Sequence, residues 1–395
     1  MLVLNTGSSS LKYRLLHPAS GDVLAGGLAE RLGDDEAVVH HTGPDGERAD
    51  LPCPGASHTD ALQTVLHAFD EHGPSLENLT AVGHRVVHGG SRFTEPALID
   101  DDVCAGISGL IPLAPLHNPV NLAGIQTMRR LLPDVPQVAV FDTTFHATMP
   151  PHAATYPLPP ELAQRLSIRR YGFHGTSVSY VRRRAAEALS RPVEQTNLIV
   201  CHLGNGASVT LVREGRSADT SMGFSPLEGL MMGSRVGDID GSVGPFLQRE
   251  AGMSAQGVDD LFNRGSGLKG MTGASDVRTV VERAVSGDET ARLAMSIYTY
   301  RIRRYIGSYA AIEPELHGLV FTAGVGENAV GVRADVCAGL SHLGITLDPA
   351  ANADAHGGAE PRVVDDGTGS VRVLVVPTDE ELEIARDTMA VIGRS

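Results

Sequence analysis

The opening stretch Met1-Leu-Val-Leu-Asn-Thr-Gly-Ser-Ser-Ser-Leu-Lys-Tyr13 reads as an apolar strand, a turn of one glycine and three hydroxyl residues, and a returning strand. Asn5 and Gly7 tolerate unusual backbone angles, and the amides and hydroxyls of Ser8, Ser9 and Ser10 can meet an anion without a helix dipole. No Gly-Lys-Ser/Thr follows at the spacing of a Walker loop, so that motif is excluded. An ordinary polar hairpin turn uses the same residues, and company elsewhere in the chain has to decide. Leu198-Ile-Val-Cys-His-Leu-Gly-Asn-Gly-Ala-Ser-Val-Thr-Leu-Val212 repeats the plan, with Gly206 and Ser208 matching Gly7 and Ser9. The repetition predicts two related halves with a cleft between them, each offering a phosphate-facing hairpin; chance similarity of two hairpins is the alternative.

A chain of 395 residues exceeds what one hydrophobic core serves, which also predicts two domains. Apolar runs at 2–4, 82–87, 138–141, 198–201, 319–322 and 371–376 read as strands, several of them buried on both faces. Apolar residues three and four apart predict helices over 59–70, 119–132, 178–189, 290–312 and 381–392. The mixture is an α/β architecture. The polar, Pro/Gly-rich stretches 40–58 and 352–370 are expected to be surface excursions. A net charge of -15 argues against a nucleic-acid surface. Without a membrane-length apolar run or a charged-then-apolar leader, the expectation is a soluble, cytoplasmic protein with no membrane partner. Cys53, Cys104, Cys201 and Cys337 lack metal-ligand spacing and read as reduced thiols.

An acidic protein that handles phosphate must place its cations locally, so arginines near glycines carry weight. In Ala81-Val-Gly-His-Arg-Val-Val-His-Gly-Gly90, the strand period puts Arg85 and Val87 on one face, suited to a short carboxylic acid. A strand-end arginine paired with a surface acid is the alternative, and His84 and His88 read as hydrogen-bonding residues rather than a metal pair. Asp142 ends an apolar run where ligands of open α/β sheets collect, able to hold a metal through water, orient a substrate or cap the next turn. Arg169-Arg-Tyr-Gly-Phe-His-Gly-Thr-Ser177 precedes a helix that Thr176 or Ser177 would cap, placing His174 at a positive helix end as a neutral donor or as a buried structural histidine. Arg235 lies in a Gly-rich stretch, 219–240, whose small residues allow close approach to a phosphoryl group. Phe321-Thr-Ala-Gly-Val-Gly-Glu-Asn-Ala329 follows a strand and suits a mononucleotide better than a dinucleotide, since fewer than seventy residues remain. Near the end, Thr378 and Glu381 have capping-box spacing, which leaves Glu380 as the magnesium-ligand candidate.

Asn5-Thr-Gly-Ser-Ser-Ser-Leu-Lys12, Gly83-His-Arg-Val-Val-His-Gly-Gly90, Tyr171-Gly-Phe-His-Gly-Thr-Ser177, His202-Leu-Gly-Asn-Gly-Ala-Ser208 and Gly324-Val-Gly-Glu-Asn328 together resemble the acetate kinase family. The resemblance runs from Leu2 to Glu383. It implies two duplicated actin-like, ribonuclease H-like α/β domains around a nucleotide cleft, the first formed by 1–145 with 382–395 and the second, nucleotide-binding, by 146–381. It implies reversible phosphoryl transfer between ATP and acetate, magnesium with manganese as a substitute, and a homodimer. Asn5, Asp142 and Glu380 fall to the metal; Asp142, His174, Arg235, Arg85 and Asn205 to catalysis; Arg85, Val87, Leu116, Phe173 and Pro226 to acetate. Lys12, Ser8, Ser10, His202, Gly204, Asn205, Gly206, Asp276, Val277, Arg278, Gly324, Val325, Gly326 and Asn328 fall to ATP or ADP. Val277 stands where the family often carries an aromatic residue, which bears on packing around the base. Acetate is ionised at neutral pH, with a pKa near ~4.3 like a Glu side chain, so no general base is needed. A propionate or butyrate kinase is the near alternative, and a non-catalytic nucleotide-clamp protein is the alternative of another class.

Overall fold

The computed structural model describes every residue except Ser8, Pro54 and Ser395. The chain divides into two compact units, Met1–Phe145 with Asp379–Ser395, and His146–Thr378.

In the first unit the strands are β1 (Leu2–Thr6), β2 (Leu11–Leu16), β3 (Val23–Glu30), β4 (Val38–Thr42), β5 (Arg48–Pro52), β6 (Val82–Val86), β7 (Ala97–Leu98) and β8 (Gln137–Phe141). They form one sheet in the order β5-β4-β3-β2-β1-β6-β8-β7. In the second unit, β9 (Leu198–Leu203), β10 (Ala207–Arg213), β11 (Arg216–Thr220), β12 (Gly318–Thr322), β13 (Arg362–Val363) and β14 (Arg372–Val375) form a sheet in the order β11-β10-β9-β12-β14-β13. The two share a plan. In each, antiparallel strands, five from β5 to β1 in one and three from β11 to β9 in the other, lead to two further strands added in parallel, β1-β6-β8 and β9-β12-β14. The parallel strands are the apolar runs of the sequence, with β8, β9 and β12 buried along their whole length, as a sheet covered on both faces requires.

The 40–58 stretch is not a simple excursion. It contains β4's end, all of β5 and the start of the helix His58–His72, because an edge hairpin needs only one buried face and its polar alternation disguises it. Likewise 352–370 carries the short edge strand β13. Helices seat closely on the first sheet at two glycines. A Cβ on Gly83 would lie 2.8 Å from Ile384 of the helix Glu380–Ile392, and one on Gly124 of the helix Asn118–Leu131 would lie 2.9 Å from Thr6 Oγ1. All four cysteines are buried and unbridged. No helix among the described residues is long and apolar enough to cross a membrane.

Candidate active site

In the first unit the ends of the parallel strands gather Asn5, Arg85 and Asp142. Arg85 donates from Nε and Nη2 to the two Asp142 oxygens at 2.9 and 2.5 Å, and from Nη1 to Asn5 Oδ1 at 3.0 Å. Glu380 lies 3.8 Å from Arg85 Nε. Burial works against the guanidinium charge, yet Asp142 and then Glu380 outweigh it and raise the Arg85 pKa. Three of five N–H donors are spent, so two remain for an incoming anion, held in orientation by Asp142. The predicted metal ligands Asn5, Asp142 and Glu380 therefore surround one arginine. Among the described residues no cluster of three His, Cys, Asp or Glu forms a ready-made metal cage. An amide and two carboxylates instead suit a hard cation that keeps much of its water.

Val87 falls one residue beyond β6, so the expected shared face with Arg85 is not a property of the strand. Helix Asn118–Leu131 places it instead: Asn121 Oδ1 accepts the Val87 N–H at 3.1 Å, and the buried Asn118 exchanges hydrogen bonds with the His88 backbone. Leu116 is half-buried just before that helix. His84 bonds Gln137 at 2.8 Å in the core, and burial pushes its pKa down to about 4.

The first hairpin turn closes with Gly7 N–H donating to Ser10 O at 2.8 Å. Ser8 lies outside the described residues. Lys12 pairs with Glu381 at 2.6 Å. That pairing corrects the capping-box expectation. The N-cap of the last helix is Asp379, whose carboxylate accepts from Leu382 N–H at 3.0 Å and pairs with Arg14 at 2.9 Å. Asp, already fixed by an arginine, caps one residue later than Thr378, and Glu381 is held by Lys12 and Arg14. Burial opposes ionisation of Glu381, but those two cations prevail and lower its pKa.

In the second unit the β9–β10 turn gathers His174, Asn205 and Arg235. His174 is the N-cap residue of the helix Gly175–Ala188 and adopts a left-handed φ of 59°. Thr176 and Ser177 do not cap that helix; Ser177 Oγ lies 2.8 Å from both His202 Nδ1 and Thr378 Oγ1. The His174 and His202 rings stack with centroids 4.0 Å apart, and His174 Nδ1 lies 3.0 Å from Ser208 Oγ. With Ser208 donating, the His174 proton resides on Nε2. A Cβ on Gly206 would meet His174 Nε2 at a tight 3.3 Å and touch Arg235 Nη1 at 3.5 Å, so both groups lie against this turn and glycine eases the approach of His174. Gly233 has the same function for Asn205, whose side chain occupies the space a Cβ would take.

Arg235 donates to Pro226 O at 3.0 Å and to Met232 Sδ at 3.7 Å. No carboxylate among the described residues pairs with it, and burial lowers its pKa. Phe173 is fully buried beside His174, while Pro226 is half-buried. His146, sequestered and pushed down to about 4 by burial, donates from Nε2 to Phe173 O at 2.9 Å and accepts from Ser217 on Nδ1.

A cavity of about 1040 Å³ in this unit brings together Gly204, Asn205, Asp276, Val277 and Arg278 with Gly324, Val325 and Asn328 of the turn after β12. Aliphatic side chains, Val277 and Val281 among them, supply its apolar wall. His202 and Gly326 are buried and do not line it. Arg278 is exposed and folds back on Asp276, the cap of the helix Val277–Val285. Glu327 and Arg333 are the residues sequence reasoning misses; Glu327 lies within the motif after β12, and its carboxylate is the available signal. Fully buried Arg333 donates to the carbonyls of Gly326 and Glu327, both at 2.9 Å, fixing the turn from a distance no motif reveals.

Comparison with known proteins agrees along the whole chain. The model of the Acetokinase family matches residues 1–386. An acetate kinase of Streptomyces avermitilis is 52% identical over 396 residues, covering 100% of this chain and 97% of that protein. Among solved structures, Porphyromonas gingivalis acetate kinase superposes with a TM-score of 0.92 at 44% identity, covering 99% of both chains. A propionate kinase from Francisella tularensis does so with 0.92 at 39% identity, covering 98% of both. The chain belongs to the acetokinase family.

Proposed function

We propose that this protein transfers a phosphoryl group reversibly between ATP and acetate, giving ADP and acetyl phosphate. The full-length similarity to a protein named acetate kinase carries the reading. In the forward direction an acetate oxygen attacks the γ-phosphorus, a new P–O bond forms, and the bond to the ADP oxygen breaks. The acceptor is already an anion, so alignment and charge neutralisation make up the catalysis.

The second unit supplies the nucleotide cavity. His174 Nε2–H, Asn205 and Arg235 are assigned to the transferring oxygens, Arg235 as the cation that gains most when charge develops there. In the first unit, the two free donors of Arg85 are assigned to the acetate carboxylate or phosphoryl oxygens. Val87, Leu116, Phe173 and Pro226 are assigned to the methyl group. Asn5, Asp142 and Glu380 would hold magnesium, which when bound neutralises phosphate charge. Lys12 and Ser10 of the first hairpin, and His202, Gly204, Gly206 and Gly326 of the second unit, complete the proposed ATP contacts. A cytoplasmic, homodimeric enzyme belongs to the same proposal, the dimer resting on family resemblance.

The test mixes protein, magnesium, ATP and acetate with hydroxylamine, which traps acyl phosphate as hydroxamate. Hydroxamate should form only with all components present, and its absence overturns the reading. Propionate is the second acceptor to try, because the Francisella tularensis propionate kinase matches this fold as well as the acetate kinase does.

A further inference from the structure

Pro226 and Arg235 sit in a stretch with no regular secondary structure, from residue 221 to 242. Backbone hydrogen bonds with Asn205, Phe262, Ser266, Leu268 and Lys269 hold residues 232–236, and side chains hold the part that carries Pro226. Arg170 does so at one end. Its Nη1 donates to three successive carbonyls, Thr220 at 2.9, Ser221 at 3.3 and Met222 at 3.1 Å, while Nη2 meets Glu228 Oε1 at 2.5 Å. The Tyr156 hydroxyl donates to the other Glu228 oxygen and accepts the Phe224 N–H at 3.0 Å. The Arg170 guanidinium also rests 5.6 Å from the centre of the Tyr156 ring. Gly223 O accepts from the N–H groups of Tyr171 and Gly172, just ahead of Phe173 and His174. At the other end, Asp238 accepts from Gly229 N–H at 2.9 Å and from the Tyr305 hydroxyl. Between these anchors Pro226 O receives Arg235 Nη1.

We propose that Tyr156, Arg170 and Glu228 form a clamp that sets where Arg235 and Pro226 stand, and so governs both turnover and acyl-chain selectivity. None of the three is assigned to a reacting atom; they are positioning residues. The inference rests on the carboxylate-kinase reading above. Burial opposes the Arg170 charge, but Glu228 outweighs it and raises its pKa, so Arg170 stays cationic.

Tyr156→Phe deletes one hydroxyl, freeing the Phe224 N–H and one Glu228 oxygen. Turnover with acetate should fall roughly three- to tenfold, the scale of one lost hydrogen bond, with the KM for ATP within about twofold. The propionate-to-acetate efficiency ratio should rise by a similar factor as the Pro226 wall loosens. Glu228→Ala should do more, and Glu228→Gln should recover part of the loss by keeping an acceptor for Arg170. Should Glu228→Ala fail to fold, Tyr156→Phe and Glu228→Gln still decide the matter. An unmoved acyl ratio, or an ATP KM that rises in step with the fall in turnover, would show a merely structural network. A wild-type protein that makes no acyl phosphate overturns the kinase reading and the clamp with it; an active wild type with unresponsive variants overturns the clamp alone.

Discussion

Arg85 and Arg235 are both partly buried arginines, yet their surroundings treat the charge in opposite ways. Arg85 is gripped by Asp142, with Glu380 close by, so its neighbourhood carries one more negative charge than positive. Arg235 has a carbonyl and a thioether for company, and its charge stands uncompensated in a partly desolvated place. A site with surplus carboxylate invites a cation, whereas a desolvated, unpaired cation invites an anion. The contrast supports the proposal that the first unit holds the metal and the second stabilises the phosphoryl group.

The sharpest way to break that contrast is Arg235→Ala. By analogy with arginine fingers, turnover should fall by about three to five powers of ten while ATP affinity changes little. Single-turnover rates and equilibrium ATP binding measure the two separately, and near-normal turnover in a folded variant would refute the assignment. On the acidic side, Glu380→Ala should raise the magnesium concentration for half-maximal activity by roughly 10- to 100-fold, the range seen when metal-supporting groups are lost. A magnesium titration that overlays the wild type removes Glu380 from the metal.

Acid should make the two regions alike. His84 beside Arg85 and His146 behind Phe173 are each neutral in the fold, with pKa values near 4, against an ordinary value of 6.5. Below pH 6.5 the unfolded chain takes up protons that the folded chain refuses. Stability is therefore full above pH 6.5 and lost as pH falls toward 4, by up to about 1.4 kcal/mol per pH unit for each histidine. Urea unfolding at pH 7 and 5 should show the decline, and a stability independent of pH over that span contradicts it.

Val87→Ala probes the acyl end of the Arg85 region. Removing two methyl groups should raise propionate efficiency relative to acetate by roughly tenfold, since one methylene is worth about 1–3 kcal/mol in an apolar pocket. If Val87 is only a packing residue, the variant loses stability and keeps the wild-type ratio. Smallest is Glu381→Ala, which breaks the partly exposed pairs to Lys12 and Arg14 and should cost about 1 kcal/mol of stability, with no change in magnesium dependence. A shifted magnesium requirement here would mean that Glu380 and Glu381 had been assigned the wrong way round.

Much of this contrast could be read along the chain, and the limits of that reading have physical causes. Fully buried strands such as β9 and β12 betray themselves as unbroken apolar runs. Arg85 and Asp142 stood out because each ends or borders such a run. Their mutual ion pair did not, since residues 57 apart meet only through the parallel pairing of β6 with β8. Thr378 looked like a cap because local spacing cannot see Arg14, which holds Asp379 from a strand at the other end of the sequence. The same blindness hid Arg170 and Tyr305, whose partners in the 221–242 stretch are fixed by tertiary contact alone.

The return of the last helix to the first unit has a consequence for how the chain is made. Asp379, Glu380 and Glu381 leave the ribosome only after all of His146–Thr378, a delay on the order of ten seconds or more at about 5–20 residues per second. Through that interval Arg14 and Arg85 lack these late acids, and the face of β6 at Gly83 lacks its covering helix. The second unit, by contrast, has every strand of its sheet in place by Val375. On the proposed assignment, a nascent chain thus builds its nucleotide cavity before it completes its metal-holding set. One clipped just before Asp379 would retain the cavity and lose the carboxylates that make Arg85's surroundings negative.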